Sequence, residues 1–356
     1  MKMKKTIGAF LIVLVLLGFI YINLNKMWHN DKVIKVGSIL PLSGNIAFLG
    51  NAAKNGMEFA KYYFERQDEV KYKIDLIFED GQGKPNISIN AFHKLIDIDQ
   101  TEIVFSTVSA VDLSLIPIQS KRRLLFFSHA SHPKLSNVNR FFYRHSTTVE
   151  QEVDFIFNRI DDKEKLSICY MNDEYGVAFV RAFADISGML LKNSFSFKKG
   201  ETDFTTISLK VTSMEPNIVI VCGAGSNLSN LPKKLREIGF TGEIITTLAY
   251  SASGASKSSK DIGNLRMVEL KEIKPDKKFA KYVKEYEHLK NKKLGTFDYI
   301  FFNTTYILIN AINSVGLDIE EISHEISRNK YQNVLGGIVS ITPDNNILPE
   351  LTFKKI

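Results

Sequence analysis

The sequence predicts an α/β protein of two Rossmann-like lobes with parallel central sheets, preceded by an N-terminal hydrophobic helix. Three observations carry this. Short apolar runs alternate with amphipathic stretches from residue 33 on; the alternation closes near residue 146 and begins again; and a charge-free segment, Thr6 to Asn25, stands ahead of both. The chain has 356 residues, 44% of them hydrophobic and 24% charged. That is close to globular averages, which excludes a disordered chain and allows two domains with substantial cores.

The N-terminal segment follows Met1-Lys2-Met3-Lys4-Lys5 and runs 20 residues without a charge. At 1.5 Å per residue such a helix spans roughly 30 Å, the thickness of a hydrocarbon core. The lysines orient it with the N-terminus in the cytoplasm and the remainder exported. Two readings stand for residues 1–26: a cleaved signal peptide or an uncleaved membrane anchor. No small-x-small cleavage site follows the apolar run, and no Cys follows it for lipid attachment.

Next comes Val33–Leu40, β-branched and ended by Pro41, which reads as a strand. Ala53, Met57, Ala60 and Phe64 recur at helical spacing within Gly50–Phe64. Strand Lys73–Phe78, helix Asn86–Ile96, strand Ile103–Ser106, a short helix near Leu113–Gln119 and strand Leu124–Ser128 complete the first half. Strands alternating with helices imply a parallel sheet covered on both faces.

After Phe141–Ser146 the pattern restarts. Helix Glu150–Ile160 leads to strand Leu166–Met171, helix Gly176–Leu191, strand Phe195–Phe197 and helix Phe204–Ser213, then strand Ile218–Cys222, helix Leu228–Ile238 and strand Glu243–Thr247. Beyond lies a Ser/Gly-rich connection, Ser251–Lys260. It is followed by helices near Asp276–Lys290, Thr296–Val315 and Ile319–Arg328, then by strand-like Gly337–Ile341 and Leu348–Phe353 about a turn at Pro343–Asn346.

Open α/β sheets bind ligands at the carboxyl ends of their strands, so the residues after each strand are the candidates. Phe48 and Leu49 offer an apolar wall after the first. Ser106, Thr107 and Ser109 bring hydroxyls to a helix start, where free N–H groups suit a carboxylate. Ser128 to Ser131 again offer hydroxyl and backbone donors. The plain alternatives are helix capping for the serines and core packing for the aromatics.

The segment "IKVGSILPLSGNIAFLGNAAKNGMEFA" resembles the opening of the leucine/isoleucine/valine-binding proteins, the type I periplasmic substrate-binding proteins of ABC transporters. "IDLIFEDGQGKPNISINAFHKLI", "IVFSTVSA", "LLFFSHASHPKL", "FFYRHSTT", "LSICYMNDEYGVAFVRAF", "GTFDYIFFNTTYILINAI" and "VLGGIVSITPDNNI" follow in that family's order. The resemblance covers nearly all of residues 33–356. It implies lobes joined by a three-strand hinge, at residues 33–147 plus 252–333 and 148–251 plus 334–356, with crossings near 146–149, 250–253 and 333–336.

Position by position, the resemblance implies that Ser109 holds a ligand carboxylate. Ala130 and Ser131 bind polar groups through a backbone group and a hydroxyl, and Tyr175 closes over the ligand from the other lobe. Phe48, Ser106 and Tyr250 complete the candidate set. Ala224 or Gly225 stands where amino acid binders often carry a Tyr. The acid that pairs with a ligand ammonium is missing from Thr246-Thr247-Leu248-Ala249-Tyr250. A buried ammonium without a partner costs several kcal/mol. From that absence a typical α-amino acid is not expected as ligand.

Other chemistries find little support. His129, His132 and His145 lack an accompanying acid or Cys for a metal, Gly223-Ala224-Gly225 lacks the third glycine of a dinucleotide loop, and no nucleophile elbow is present. Neither catalysis nor a cofactor is expected. Cys169 and Cys222 read as two buried free thiols on neighbouring strands, with a disulfide left open. Three of the seven net positive charges sit on Lys2, Lys4 and Lys5, so the charge excess records membrane orientation and no nucleic-acid partner is expected.

The function the resemblance implies is extracytoplasmic capture of a small polar ligand (carboxylate, amide or amino-acid-like) by hinge closure, and delivery to the permease subunits of an ABC importer. The alternative is a membrane-tethered sensor domain signalling to a membrane partner. The expected state is a monomer.

Overall fold

The computed structural model describes Val15 and residues 33–67, 70–161, 165–188, 193–271 and 275–355. Apart from Val15, the hydrophobic helix expected at 6–25, with the leader segment 1–26, lies outside the described residues.

The first lobe opens with β1 (Val33–Leu40), α1 (Ala47–Gln67), β2 (Lys73–Asp80), α2 (Pro85–His93), β3 (Ile103–Ser106), α3 (Ser109–Gln119), β4 (Leu125–Ser128) and β5 (Phe142–His145). The second lobe follows with α4 (Val149–Phe157), β6 (Leu166–Met171), α5 (Glu174–Ser187), β7 (Ser194–Phe197), α6 (Thr205–Thr212) and β8 (Ile218–Cys222). It continues through α7 (Asn230–Glu237), β9 (Glu243–Thr246), α8 (Leu248–Ala252) and β10 (Leu265–Leu270). The chain then returns to the first lobe as α9 (Lys277–Lys290), α10 (Thr296–Val315), α11 (Ile319–Arg328), a hairpin of β11 (Lys330–Gln332) and β12 (Ile338–Ser340), and β13 (Asn346–Ile347). It ends in the second lobe with β14 (Leu351–Lys355).

The two large sheets have the same plan. One runs β13-β5-β4-β3-β1-β2, the other β14-β10-β9-β8-β6-β7. Every pairing in the first is parallel, and in the second only β14 runs antiparallel, against β10. Strands this deeply covered read as unbroken apolar runs. Ile218–Cys222 is buried at every position, because helices cover both faces. Cys169 and Cys222 are free, and they lie on opposite faces of this sheet, in separate apolar clusters. Alternation along neighbouring strands thus keeps the thiols apart.

In the first lobe α1 packs on α10. A Cβ on Gly56 would stand 2.1 Å from the Asp298 carbonyl oxygen, so only glycine permits this approach. Phe59, Tyr63, Phe279, Phe302 and Tyr306 form an aromatic cluster there, with ring centroids 4.6–5.9 Å apart. The apolar spacing that marked Thr296–Val315 as a long helix is core packing, since its residues from Asp298 to Ile309 are all buried.

Two lobe boundaries differ from the sequence expectation. The region 252–270 belongs to the second lobe, because β10 pairs with β9 at Leu265–Met267. The region 334–347 belongs to the first, because β13 pairs with β5 at Asn346 and Ile347. The chain therefore crosses after β5, after β10 and between β13 and β14, rather than near 250–253 and 333–336. The crossings are tied together: Gln151 Nε2 donates to the Pro349 carbonyl at 2.8 Å, and the Lys271 amide donates to the Glu350 carbonyl at 2.9 Å.

Candidate ligand-binding cleft

Strand order reverses between β1 and β3 in one lobe and between β6 and β8 in the other. Successive helices leave to opposite faces at such points and open a crevice at the strands' carboxyl ends. The two crevices face each other across a shared cavity of about 230 Å³, lined by residues of both lobes. That is below the roughly 300 Å³ at which drug-sized pockets begin, so the space suits a small metabolite.

The first lobe supplies Ile46, Phe48 and Leu49 from the start of α1 as an apolar wall, with Phe297 from α10. After β3, Thr107, Val108, Ser109 and Ala110 line the cavity. Helix α3 begins here on Val108, an extended residue with no side-chain cap, so its first N–H groups meet no acceptor from a capping side chain. Thr107 and Thr147 also line the cavity, and their buried hydroxyls have no hydrogen-bond partner among the described residues. After β4 come His129, Ala130 and Ser131. The Ala130 amide is already used: it donates to Ser128 Oγ at 3.2 Å.

From the second lobe come Met171, Asp173, Glu174 and Tyr175 after β6, Lys199 after β7, Ala224, Gly225 and Asn227 after β8, and Leu248, Ala249 and Ala252 of α8. Asp173 caps α5 by accepting from the Gly176 amide at 2.8 Å. Glu152, from α4, is buried and lines the same cavity. Its Oε2 accepts from the Tyr175 hydroxyl at 2.6 Å and its Oε1 from the Leu248 amide at 2.5 Å. Burial pushes its carboxyl up to about 7, against the pull of those two donors. The Tyr175 phenol is pushed well above its ordinary value by burial first and by Glu152 second. Across the lobes, His132 Nε2 faces Glu174 at 3.8 Å.

Of the residues chosen from sequence, Phe48, Ser109, Ala130, Ser131 and Tyr175 are brought together around the cavity, and two are not. Ser106 is fully buried on β3 inside the first lobe, beside the Asp112 carboxyl rather than the cleft. Tyr250 turns into the second-lobe core, where its hydroxyl meets Ser259 Oγ at 2.5 Å. The three histidines form no metal site. His129 Nε2 and His145 Nδ1 both meet Thr304 Oγ1, at 2.9 and 2.8 Å, and that hydroxyl in turn donates to the Ile300 carbonyl. Which atom donates in each of these contacts is set by the ring's tautomer. Burial drives His129 well below its ordinary value, with His145 adding to this, and drives His145 down to about 3.

Sequence reasoning missed Glu152, Asp173, Lys199, Asn227, Thr147 and Phe297. For Glu152 a signal existed. It shares a helix face with Val149, Val153 and Ile156, all buried, so an acid stands at a core position. Its presence also removes the premise on which an α-amino acid ligand was doubted: the cleft does carry a second-lobe acid, bonded to the very segment where none was found in sequence.

Matched crevices on two lobes of equal plan, joined by three crossings, define a bilobal ligand-capture protein. The chain belongs to the periplasmic binding protein family, whose model matches residues 33–353. It is 24% identical over 238 residues to Leu/Ile/Val-binding protein homolog 3 of Brucella melitensis, covering 63% of this chain and 64% of that one, less than two thirds of the relative's length. The fold is similar to that of LivJ, a branched-chain amino acid transporter substrate-binding protein from Streptococcus pneumoniae, in complex with isoleucine (TM-score 0.79, 16% identity, 91% of this chain and 96% of that one). It is also similar to a solute-binding protein of an ABC transporter from R. palustris, in complex with benzoate (TM-score 0.76, 15% identity, 90% and 92%).

Proposed function

We propose that this protein is an extracytoplasmic solute-binding protein that captures a small carboxylate or amino-acid-like molecule between its lobes and delivers it to an ABC importer. The observation that carries the reading is the cavity between the lobes: both lobes line it, the uncapped start of α3 borders it, and two of its lining residues, Thr107 and Thr147, hold buried hydroxyls with no partner among the described residues. Buried polar groups without a partner, in residues that line a cavity, are satisfied by a ligand or by water. An open start of helix α3 favours a carboxylate. Ser109 and Ser131 add hydroxyls on this side, Phe48 and Leu49 the apolar wall, and Tyr175 closes from the other lobe.

Capture proceeds by hinge closure about the three crossings. The open form binds ligand on the first lobe, and the second lobe completes the contacts, so ligand stabilises closure only by its extra affinity for the closed form. The test is a thermal-shift screen of small carboxylates and amino acids, followed by small-angle scattering with the compound that binds. Binding with compaction of the particle is expected. No binder among them refutes the carboxylate reading, and binding without compaction refutes hinge closure.

A further inference from the structure

Arg144 of β5 is a buried cation outside the lining of the cleft, 1% exposed. Its guanidinium spreads three bonds over separate pieces of chain. Nη1 donates to the His132 carbonyl at 2.9 Å, Nη2 to Ser136 Oγ at 2.6 Å and Nε to Asn346 Oδ1 at 2.7 Å. The Asn346 amide is held in that orientation, because its Nδ2 donates to Asp344. All three acceptors are neutral, and the acids that act on Arg144, Glu150 and Asp344, do so through space alone. Burying a charge against neutral oxygens is costly, and an apolar side chain of similar volume would fill the position at lower cost. What such a side chain lacks is the planar fork, which fixes its acceptors in direction relative to one another.

Those acceptors join the cleft to the hinge. His132 and Ser136 lie in the loop after β4, whose His129, Ala130 and Ser131 line the cavity. Asn346 lies on β13 in register with Arg144, one residue before the third crossing. β5 itself ends at His145, where the first crossing begins. The same loop is tied across that crossing, since the Val149 amide at the start of α4 donates to the Ser131 carbonyl at 3.1 Å. Two successive carbonyls of the loop are thus held, Ser131 from the second lobe and His132 by Arg144. The His132 carbonyl also accepts from the Leu135 amide at 3.0 Å, so the turn of the loop and the guanidinium share one acceptor atom.

Resting on the hinge-closure reading given above, we propose that Arg144 is a positioning residue of capture: it fastens the cleft loop 129–136 to the strands that lead into the first and third crossings, so that loop and hinge move as one body. It touches no ligand. A ligand seated against Ala130 and Ser131 is held by a loop whose place the hinge sets, and closure of the second lobe acts on that loop through Val149. Without the fork the loop still binds, but its occupancy no longer biases the hinge.

The test compares the unsubstituted protein with Arg144→Lys, which keeps the charge and removes the fork. Ser136→Ala removes one acceptor at a partly exposed site, and it carries the test if Arg144→Lys does not fold. Amide hydrogen exchange without ligand is expected to be about tenfold faster at Val149 and Leu135 in Arg144→Lys, a few-fold faster in Ser136→Ala, and unchanged at Ile218–Cys222 in the second-lobe core. A plain stabilising role would instead speed exchange in the core, which opens only globally. Isoleucine and benzoate serve as probes for small-angle scattering at saturation. There Arg144→Lys is expected to show about half the compaction of the unsubstituted protein or less, which weaker affinity alone cannot produce once the site is full. Full compaction at saturation, or unchanged exchange at Val149 and Leu135, overturns the proposal and leaves hinge closure standing. A probe that binds the unsubstituted protein without compacting it refutes hinge closure, and this inference falls with it. If neither probe binds, the exchange pattern decides alone: faster at Val149 and Leu135 over an unchanged core supports the proposal, and any other pattern overturns it.

Discussion

Asp112 allows a sharp test of how dry the ground beneath the cleft is. It lies on α3 with no exposed surface, and its Oδ2 accepts from Ser128 Oγ at 2.5 Å. Burial pushes its carboxyl up to about 7, opposed by the Ser106 and Ser128 hydroxyls. In the unfolded chain the same group ionises near 3.8. Between those values the folded protein holds a proton that the unfolded chain has lost, so stability falls as pH rises through this window and levels off above it. A shift of roughly three pH units at 1.36 kcal/mol each amounts to about 4 kcal/mol. Asp112→Asn carries no charge at any pH and keeps the acceptor for Ser128. The stability difference, unsubstituted minus Asp112→Asn, is therefore expected to be near zero at pH 4 and to fall to about −4 kcal/mol by pH 8. Glu152 in the folded protein and the histidines of the unfolded chain also titrate, but alike in both proteins, so they cancel in the difference. Urea unfolding followed by circular dichroism at four pH values gives the numbers from midpoint and slope. A difference that stays constant with pH, or that rises with it, would show that Asp112 is solvated or ion-paired and would refute the reasoning.

Three further outcomes are expected. The buried His129 and His145 rings stay neutral, so their imidazole proton resonances hold still from pH 8 to pH 5, and their depressed values cost stability only as pH falls below 6.5; either ring titrating near 6.5 contradicts this. Gly56→Ala places a methyl 2.1 Å from the Asp298 carbonyl oxygen and 2.8 Å from the Phe302 nitrogen, forcing α1 from α10 at a cost of about 1–3 kcal/mol, seen as a lower melting temperature. Tyr250→Phe loses the hydroxyl contact to Ser259, lowering second-lobe stability by about 1 kcal/mol while leaving ligand affinity unchanged; weakened binding would return Tyr250 to the cleft.

Most of the architecture was legible because parallel sheets leave a coarse trace in sequence. The strand limits Ile103–Ser106, Leu166–Met171 and Ile218–Cys222 read from apolar runs are the observed ones. The strand β10 was not legible. In Leu265-Arg266-Met267-Val268-Glu269-Leu270 two charges interrupt the run, which hides it from a reading by hydrophobicity. In the fold these charges are matched by neighbouring strands: Arg266 pairs with Glu243 of β9 and lies over the Phe353 ring of β14 at 4.5 Å, and Glu269 pairs with Lys354 at 3.4 Å. Charged residues in a sheet read as loop until their cross-strand partners are known. With β10 unseen, the Ser/Gly-rich stretch before it looked like a crossing between lobes, and the lobe boundary moved with it.

The candidate site was half legible for a related reason. The rule that ligands bind after the carboxyl ends of strands works on sequence position, and it gathered Phe48, Ser109, Ala130, Ser131 and Tyr175 around one cavity. It fails where direction decides. Tyr250 sits in a strand-end segment, but the short helix α8 rotates its ring into the second-lobe core. Conversely, the segment after β9 carries no acid, yet a carboxyl is bonded there at Leu248, brought by a helix 96 residues earlier in the chain. That helix is the first element after the first crossing, started by the Thr148 cap, and one turn places residue 152 over the start of α8. A residue missing from its usual slot in the sequence is therefore weak grounds for a missing charge in a cleft built from the strand ends of two lobes, because several of those ends reach the same point in space.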